Sequence, residues 1–180
     1  MGSVRMGEIE VSCRAGDELV ARGLGSCIGL ALVDRFVGIA GLAHIVLPES
    51  TPTDRQPGKF ADLAVPELID RIVRAGASKR RLEAVLAGGA RMFELGDLDI
   101  GARNAEAVRS GLTASGLSVR AAETGGSRGR TLRVVVGDCT VTVKEAGGES
   151  ITLLDGSAGA ARRARVAASV TPMPITGALR

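Results

Sequence analysis

The sequence predicts an α/β protein: a single-domain layered sandwich in which a mixed, strand-rich sheet is packed by helices. Three observations point there. The chain has 180 residues, 45% of them hydrophobic, enough for one real core and too short for two comfortable domains. With three Phe and no Trp or Tyr, the interior must be filled by Val, Leu, Ile and Ala, which suits a sheet covered by helices better than an aromatic-rich sandwich. Strand-like segments outnumber helical ones, and no period of about 20 to 50 residues repeats, which argues against a solenoid.

The elements follow in order. Glu8-Ile9-Glu10-Val11 and Glu18-Leu19-Val20-Ala21 read as short strands, the second leading into the glycine-rich turn Gly23-Leu24-Gly25-Ser26 before Cys27. The apolar runs from Cys27 to Val33 and from Val37 to Leu47, joined at Asp34-Arg35, predict a buried hairpin. A polar loop with Pro48, Pro52 and Pro57 follows. Val65, Leu68, Ile69, Ile72 and Val73 then recur at helical spacing, with Pro66 expected near the first turn or else kinking the helix, and Gly76 as the stop. Leu82 to Ala87 is a buried strand ending at Gly88-Gly89, and Asn104 to Leu112 a second helix, at whose start Arg103 and Asn104 could contact substrate or, equally, serve as a surface pairing group and a helix cap. A strand at Leu117 to Ala121 precedes the loop Thr124 to Arg130. Leu132 to Val136 and Cys139 to Val143 close the fold as a hairpin around Gly137-Asp138.

Charge divides the chain into a domain over residues 1–155 and a basic tail over 156–180. All 20 acidic residues lie at or before Asp155, where they meet 19 of the 23 Lys and Arg, a balance of −1. Arg162, Arg163, Arg165 and Arg180 stand in an Ala-, Gly- and Ser-rich tail expected to be a solvated extension. The near-neutral domain and the scarcity of stacking aromatics argue against a nucleic-acid partner. No apolar run approaches the roughly 18 residues of a membrane span and no signal pattern opens the chain, so a cytoplasmic protein without membrane insertion is expected. Cys13, Cys27 and Cys139 are an odd, widely spaced set unlike a disulfide framework. One histidine and no CxxC pair leave no expected metal site.

The candidate chemistry gathers at Cys27 and His44. A nucleophilic thiol needs a neighbour that takes its proton and later donates one, and a single imidazole can do both. Gly25 and Ser26 precede Cys27 in a tight turn whose N–H groups could face one concavity and hold an oxyanion. If the hairpin turns near Asp34 to Val37, His44 returns to roughly the level of Cys27. Spacing alone does not choose between this pair and an inert core thiol beside a structural histidine. Cys13 and Cys139 read as structural.

The segment Gly23-Leu24-Gly25-Ser26-Cys27, then Ala43-His44, Leu47-Pro48 and Gly58-Lys59-Phe60-Ala61-Asp62, resembles the CheD family of chemoreceptor glutamine deamidases. The likeness continues in Gly88-Gly89-Ala90-Arg91-Met92-Phe93, Ile100-Gly101-Ala102-Arg103-Asn104, Thr124-Gly125-Gly126 and Gly129-Arg130, and spans about residues 5 to 155. The resemblance implies a fold related to bacterial toxin deamidases, with Cys27 as nucleophile, His44 as base and no cofactor. It further implies methyl-accepting chemotaxis receptors as protein substrates and a CheC-type phosphatase as a possible partner. The family carries an orienting threonine six residues before the nucleophile, where this chain has Ala21. Two expectations follow: Ala21→Thr should raise the rate, and His44 with the turn's N–H groups should depress the thiol pKa. Two rivals stay open: a weakly active or inactive binding partner of the phosphatase, favoured by Ala21, and another thiol acyl-transfer enzyme such as a transglutaminase or peptidase.

Overall fold

The computed structural model describes residues 2–91 and 99–157. Its elements are β1 (Gly2–Ser3), β2 (Ile9–Ser12), β3 (Glu18–Leu24), β4 (Ile28–Asp34), β5 (Ile39–Ile45), α1 (Ala61–Arg74), β6 (Glu83–Gly88), α2 (Ile100–Ala114), β7 (Val119–Thr124), β8 (Arg130–Val135), β9 (Val141–Glu145) and β10 (Ser150–Leu154). The predicted α/β sandwich is present, with the strands divided between two five-stranded mixed sheets. One runs β1-β3-β8-β9-β10 and the other β2-β5-β4-β6-β7. Among the described residues no helix is long and apolar enough to cross a membrane.

The layers follow from which faces are apolar. β4 and β5 are buried at every position, as their uninterrupted apolar runs require of central strands covered on both sides. Ile28, Leu30, Leu32, Ala43 and Ile45 point to the helices, where Ala64, Val65, Leu68 and Ile72 of α1 and Val108 and Leu112 of α2 meet them. The alternate residues, Cys27, Ala31, Val33, Ala40 and Leu42, point to the other sheet and pack on Leu24, Leu132, Val134 and Val141. The order is helices, sheet, sheet, and the reactive candidates belong to the inter-sheet layer.

The far end of the β4–β5 hairpin is pinned by Asp34, which is fully buried. Its carboxylate accepts from the backbone N–H of Ser78 at 2.9 Å and from Arg81 Nη2 at 2.8 Å, as well as from the N–H of Phe36. Burial pushes its pKa up, but the Arg81, Ser78 and Phe36 bonds outweigh that and hold it below the usual carboxylate range. The carboxylate stays ionised and the hairpin register is fixed 44 residues ahead of Ser78.

Several sequence-based boundaries move. Of the two placements open to Pro66, the one inside α1 holds, since the helix already begins at Ala61. α2 begins at Ile100 with Asp99 as its cap, the Asp99 carboxylate accepting from the Ala102 N–H at 2.9 Å. Asn104 therefore does not cap the helix. Cys139 does not begin a strand: it occupies the β8–β9 turn at φ 64°. Cys13 is exposed just beyond β2. β1 and β10 were not anticipated. Met92 and Phe93, and the tail from residue 158 onward, lie outside the described residues.

Candidate active site

Cys27 sits at the mouth of β4, at the end of a turn whose main chain is bonded on both sides. The Gly25 N–H donates to the Gly23 carbonyl at 2.8 Å, the Gly25 carbonyl accepts from the Ala90 N–H at 2.7 Å, and the Cys27 carbonyl accepts from the Gly89 N–H at 2.8 Å. Only glycine serves at position 88. Its φ is 110°, and a Cβ there would collide with the Cys27 carbonyl. The loop after β7 closes against the same strip: the Gly125 N–H donates to the Gly88 carbonyl and the Arg91 N–H to the Gly126 carbonyl. Buried Arg130 in turn holds that loop through the Gly125 carbonyl, at 2.6 Å. The glycine pairs 88–89 and 125–126 are thus parts of one wall behind Cys27.

His44 reaches the same place from β5. In the antiparallel ladder it pairs with Gly29, so the two share a face, and Cys27, two residues before Gly29, shares it too. Diagonal partners of this kind stand about 7–8 Å apart at the backbone, within reach of a long side chain. Gly29 puts no side chain between them. The thiol is 7% exposed and the imidazole 2%.

The amino-terminal segment sets the imidazole's state. The Val4 N–H donates to the Val20 carbonyl, the Gly7 N–H to the His44 carbonyl at 2.8 Å, and the His44 N–H to the Glu8 carbonyl at 3.1 Å, so residues 4–8 lie along His44. His44 Nδ1 stands 3.3 Å from the Val4 carbonyl oxygen. A carbonyl can only accept, so Nδ1 carries the proton and Nε2 the lone pair. Nε2 is buried without a hydrogen-bond partner among the described residues. Burial lowers the His44 pKa, against opposing effects from the Val4 bond and the Glu8 charge. Burial likewise pushes the Cys27 thiol up, against its own backbone N–H. The direction is opposite to the expected depression of the thiol pKa: burial disfavours the charged form of each group, which favours neutral thiol and neutral imidazole.

The structure thus puts Cys27 and His44 on one face of the β4–β5 ladder, with Gly25 and Ser26 in the turn that leads into Cys27; no hydrogen bond joins the thiol to Nε2 among the described residues. Ala21 is fully buried in the inter-sheet layer and offers only a methyl group. It pairs with Leu132, whose side chain in turn covers Gly29, the ladder partner of His44. Among the described residues no group of His, Cys, Asp and Glu could hold a metal ion. Sequence reasoning missed Val4, whose contribution is a carbonyl that any residue would supply. It also misread Asn104, which is fully buried and donates from Nδ2 to the carbonyls of Ser26 and Val46, each at 2.9 Å.

A buried thiol and a tautomer-fixed imidazole on one sheet face, within a helix-backed double sheet, are the groups that a cysteine-dependent acyl transfer uses. The comparisons specify it further. A family model described as CheD chemotactic sensory transduction matches residues 46–145. A probable chemoreceptor glutamine deamidase CheD of Symbiobacterium thermophilum is 44% identical over 152 residues, covering 81% of this chain and 92% of that protein. The chemoreceptor glutamine deamidase CheD of Thermotoga maritima is 39% identical over 145 residues, covering 81% and 92% respectively. A probable CheD of Methanococcus vannielii is 43% identical over 145 residues, covering 79% and 93%. The chain belongs to the CheD family.

Proposed function

We propose that this protein is a protein-glutamine deamidase that converts glutamine side chains of methyl-accepting chemotaxis receptors to glutamate in the cytoplasm. The observation that carries this reading is the unpartnered Nε2 of His44, held as a base by the Val4 carbonyl on the sheet face that bears Cys27, in a chain whose relatives carry that activity in their names. His44 Nε2 takes the thiol proton as sulfur attacks the carboxamide carbon. The oxyanion is held by backbone N–H groups of the turn at Ser26 and Cys27. His44 returns the proton to the departing nitrogen, releasing ammonia and leaving a thioester. Water, deprotonated by the same imidazole, then cleaves the thioester to glutamate and the thiol. Glutamine and water become glutamate and ammonia, and no cofactor enters.

Ammonia release from a receptor cytoplasmic fragment, with peptide mass spectrometry locating the new glutamates, tests the reading. Peptide-bond cleavage or amine incorporation instead would make the chain a peptidase or a transglutaminase. A CheC-type phosphatase as second partner rests on the family resemblance, and co-elution of the two proteins is its test.

Position 21 now carries a different expectation. Nδ1 already has its acceptor in Val4, so Ala21→Thr is expected to leave the single-turnover rate within about twofold of the parent. The two added atoms enter a filled layer and are expected to lower stability by about 1–3 kcal/mol, measured by denaturant titration. A substantial rate gain would show that the Val4 carbonyl does not suffice.

A further inference from the structure

Asn104 lies on the helix side of the sheet, at the start of α2, yet both of its donors are spent on the main chain around the reactive pair. One goes to the carbonyl of Ser26, immediately before Cys27, and the other to the carbonyl of Val46, two residues after His44. Because both partners are carbonyls, the amide can be placed only with nitrogen toward them. Its oxygen is left buried without a partner among the described residues, an uncompensated loss that apolar packing would have avoided.

The consequence runs through the peptide plane. In a trans peptide the carbonyl of one residue and the N–H of the next point in opposite directions. With the Ser26 carbonyl held toward α2, the Cys27 N–H is turned to the opposite side, the side of the thiol. Gly101, one turn before Asn104 on α2, lets the helix come this close: a Cβ there would stand 2.5 Å from the Gly89 carbonyl oxygen, beside the strip that bonds Cys27.

The geometry points to Asn104 as a positioning residue that fixes the Ser26–Cys27 peptide so that the Cys27 N–H serves as oxyanion donor. This rests on the deamidase reading above. Asn104 does not touch the substrate; it acts through the peptide it holds.

Asn104→Asp keeps the shape and turns both donors into acceptors facing two carbonyls, and Asn104→Ala removes them more mildly. Each is assayed for ammonia release from a receptor cytoplasmic fragment and for alkylation of Cys27 by iodoacetamide, a displacement that passes through no oxyanion. The expected result is a fall in kcat of about 10²- to 10³-fold for Asp, the scale for losing one oxyanion donor, and a smaller fall for Ala. KM and the alkylation rate should stay within about threefold of the parent, since substrate binding does not use that N–H and alkylation develops no oxyanion for it to hold. Parallel loss of deamidation and alkylation would reduce Asn104 to a structural role and overturn the inference, as would an effect on KM alone. Full deamidation by both variants overturns it while the deamidase reading stands. A parent protein that releases no ammonia overturns both.

Discussion

Cys27→Ala is expected to abolish ammonia release, by at least about 10⁴-fold, while the protein keeps its fold. A methyl cannot attack a carbonyl, and in enzymes whose nucleophile, base and oxyanion donors act as a unit, deleting the nucleophile forfeits most of what the unit supplies. Structure should be spared: Cys27 is a small side chain at the mouth of β4, and removing its sulfur opens a cavity worth about 1 kcal/mol. The controls are the other two cysteines. Cys13→Ala changes an exposed side chain and Cys139→Ala a buried one in the β8–β9 turn, with Sγ 3.8 Å from the Ile39 carbonyl, and neither touches the site. Both should retain the parental rate. Ammonia release from Cys27→Ala at the parental rate would remove the thiol from the reaction.

His44→Gln is expected to lower kcat by about 10²- to 10⁴-fold, the range for losing a general base that also acts as general acid. The pH profile is the sharper readout. His44 is a base only when neutral, and burial lowers its pKa, so the acid limb of the parent's kcat/KM should fall below the ordinary imidazole value of about 6.5 and vanish in the variant. Stability follows with a definite sign. A folded-state pKa below the unfolded one leaves stability complete above about pH 6.5 and erodes it as pH falls further, because the unfolded chain binds the proton more readily. Cys27 acts at the other end: a raised folded pKa favours the neutral thiol, so stability is lost as pH climbs past the ordinary thiol value. Thermal melts of parent and variant across pH 5 to 7 should converge in acid. An acid limb that survives unchanged in His44→Gln would assign the base elsewhere.

What the sequence made legible was local. The apolar runs of β4 and β5 announced two central strands, and the spacing of Leu68, Ile69 and Ile72 announced the buried face of α1. The turn that delivers Cys27 was legible through its glycines. The division into two sheets was not, because Gly2–Ser3 has no apolar residue, the Ser-Ile-Thr-Leu alternation of Ser150–Leu154 is short, and both are seen as strands by their pairing with β3 and β9. Asn104 looked like a cap because asparagine caps helices, and nothing nearby reveals that its partner is the Ser26 carbonyl, 78 residues back. The neutral state of the dyad was hidden for a similar reason: two groups of opposite tendency suggest an ion pair until the layers on either side show how little water reaches them.

An acceptor made of main chain obeys different evolutionary rules from one made of side chain. A hydroxyl at position 21 is lost by a single codon change, whereas the Val4 carbonyl survives every substitution that leaves the path of residues 4–8 intact. Alanine at position 21 then leaves the acceptor of Nδ1 in place, and a comparison of side chains alone would miss how the imidazole is held. The vulnerability lies in the amino-terminal path itself. A nick or a displaced segment before Glu8 would free the imidazole without altering a single residue of the reactive pair.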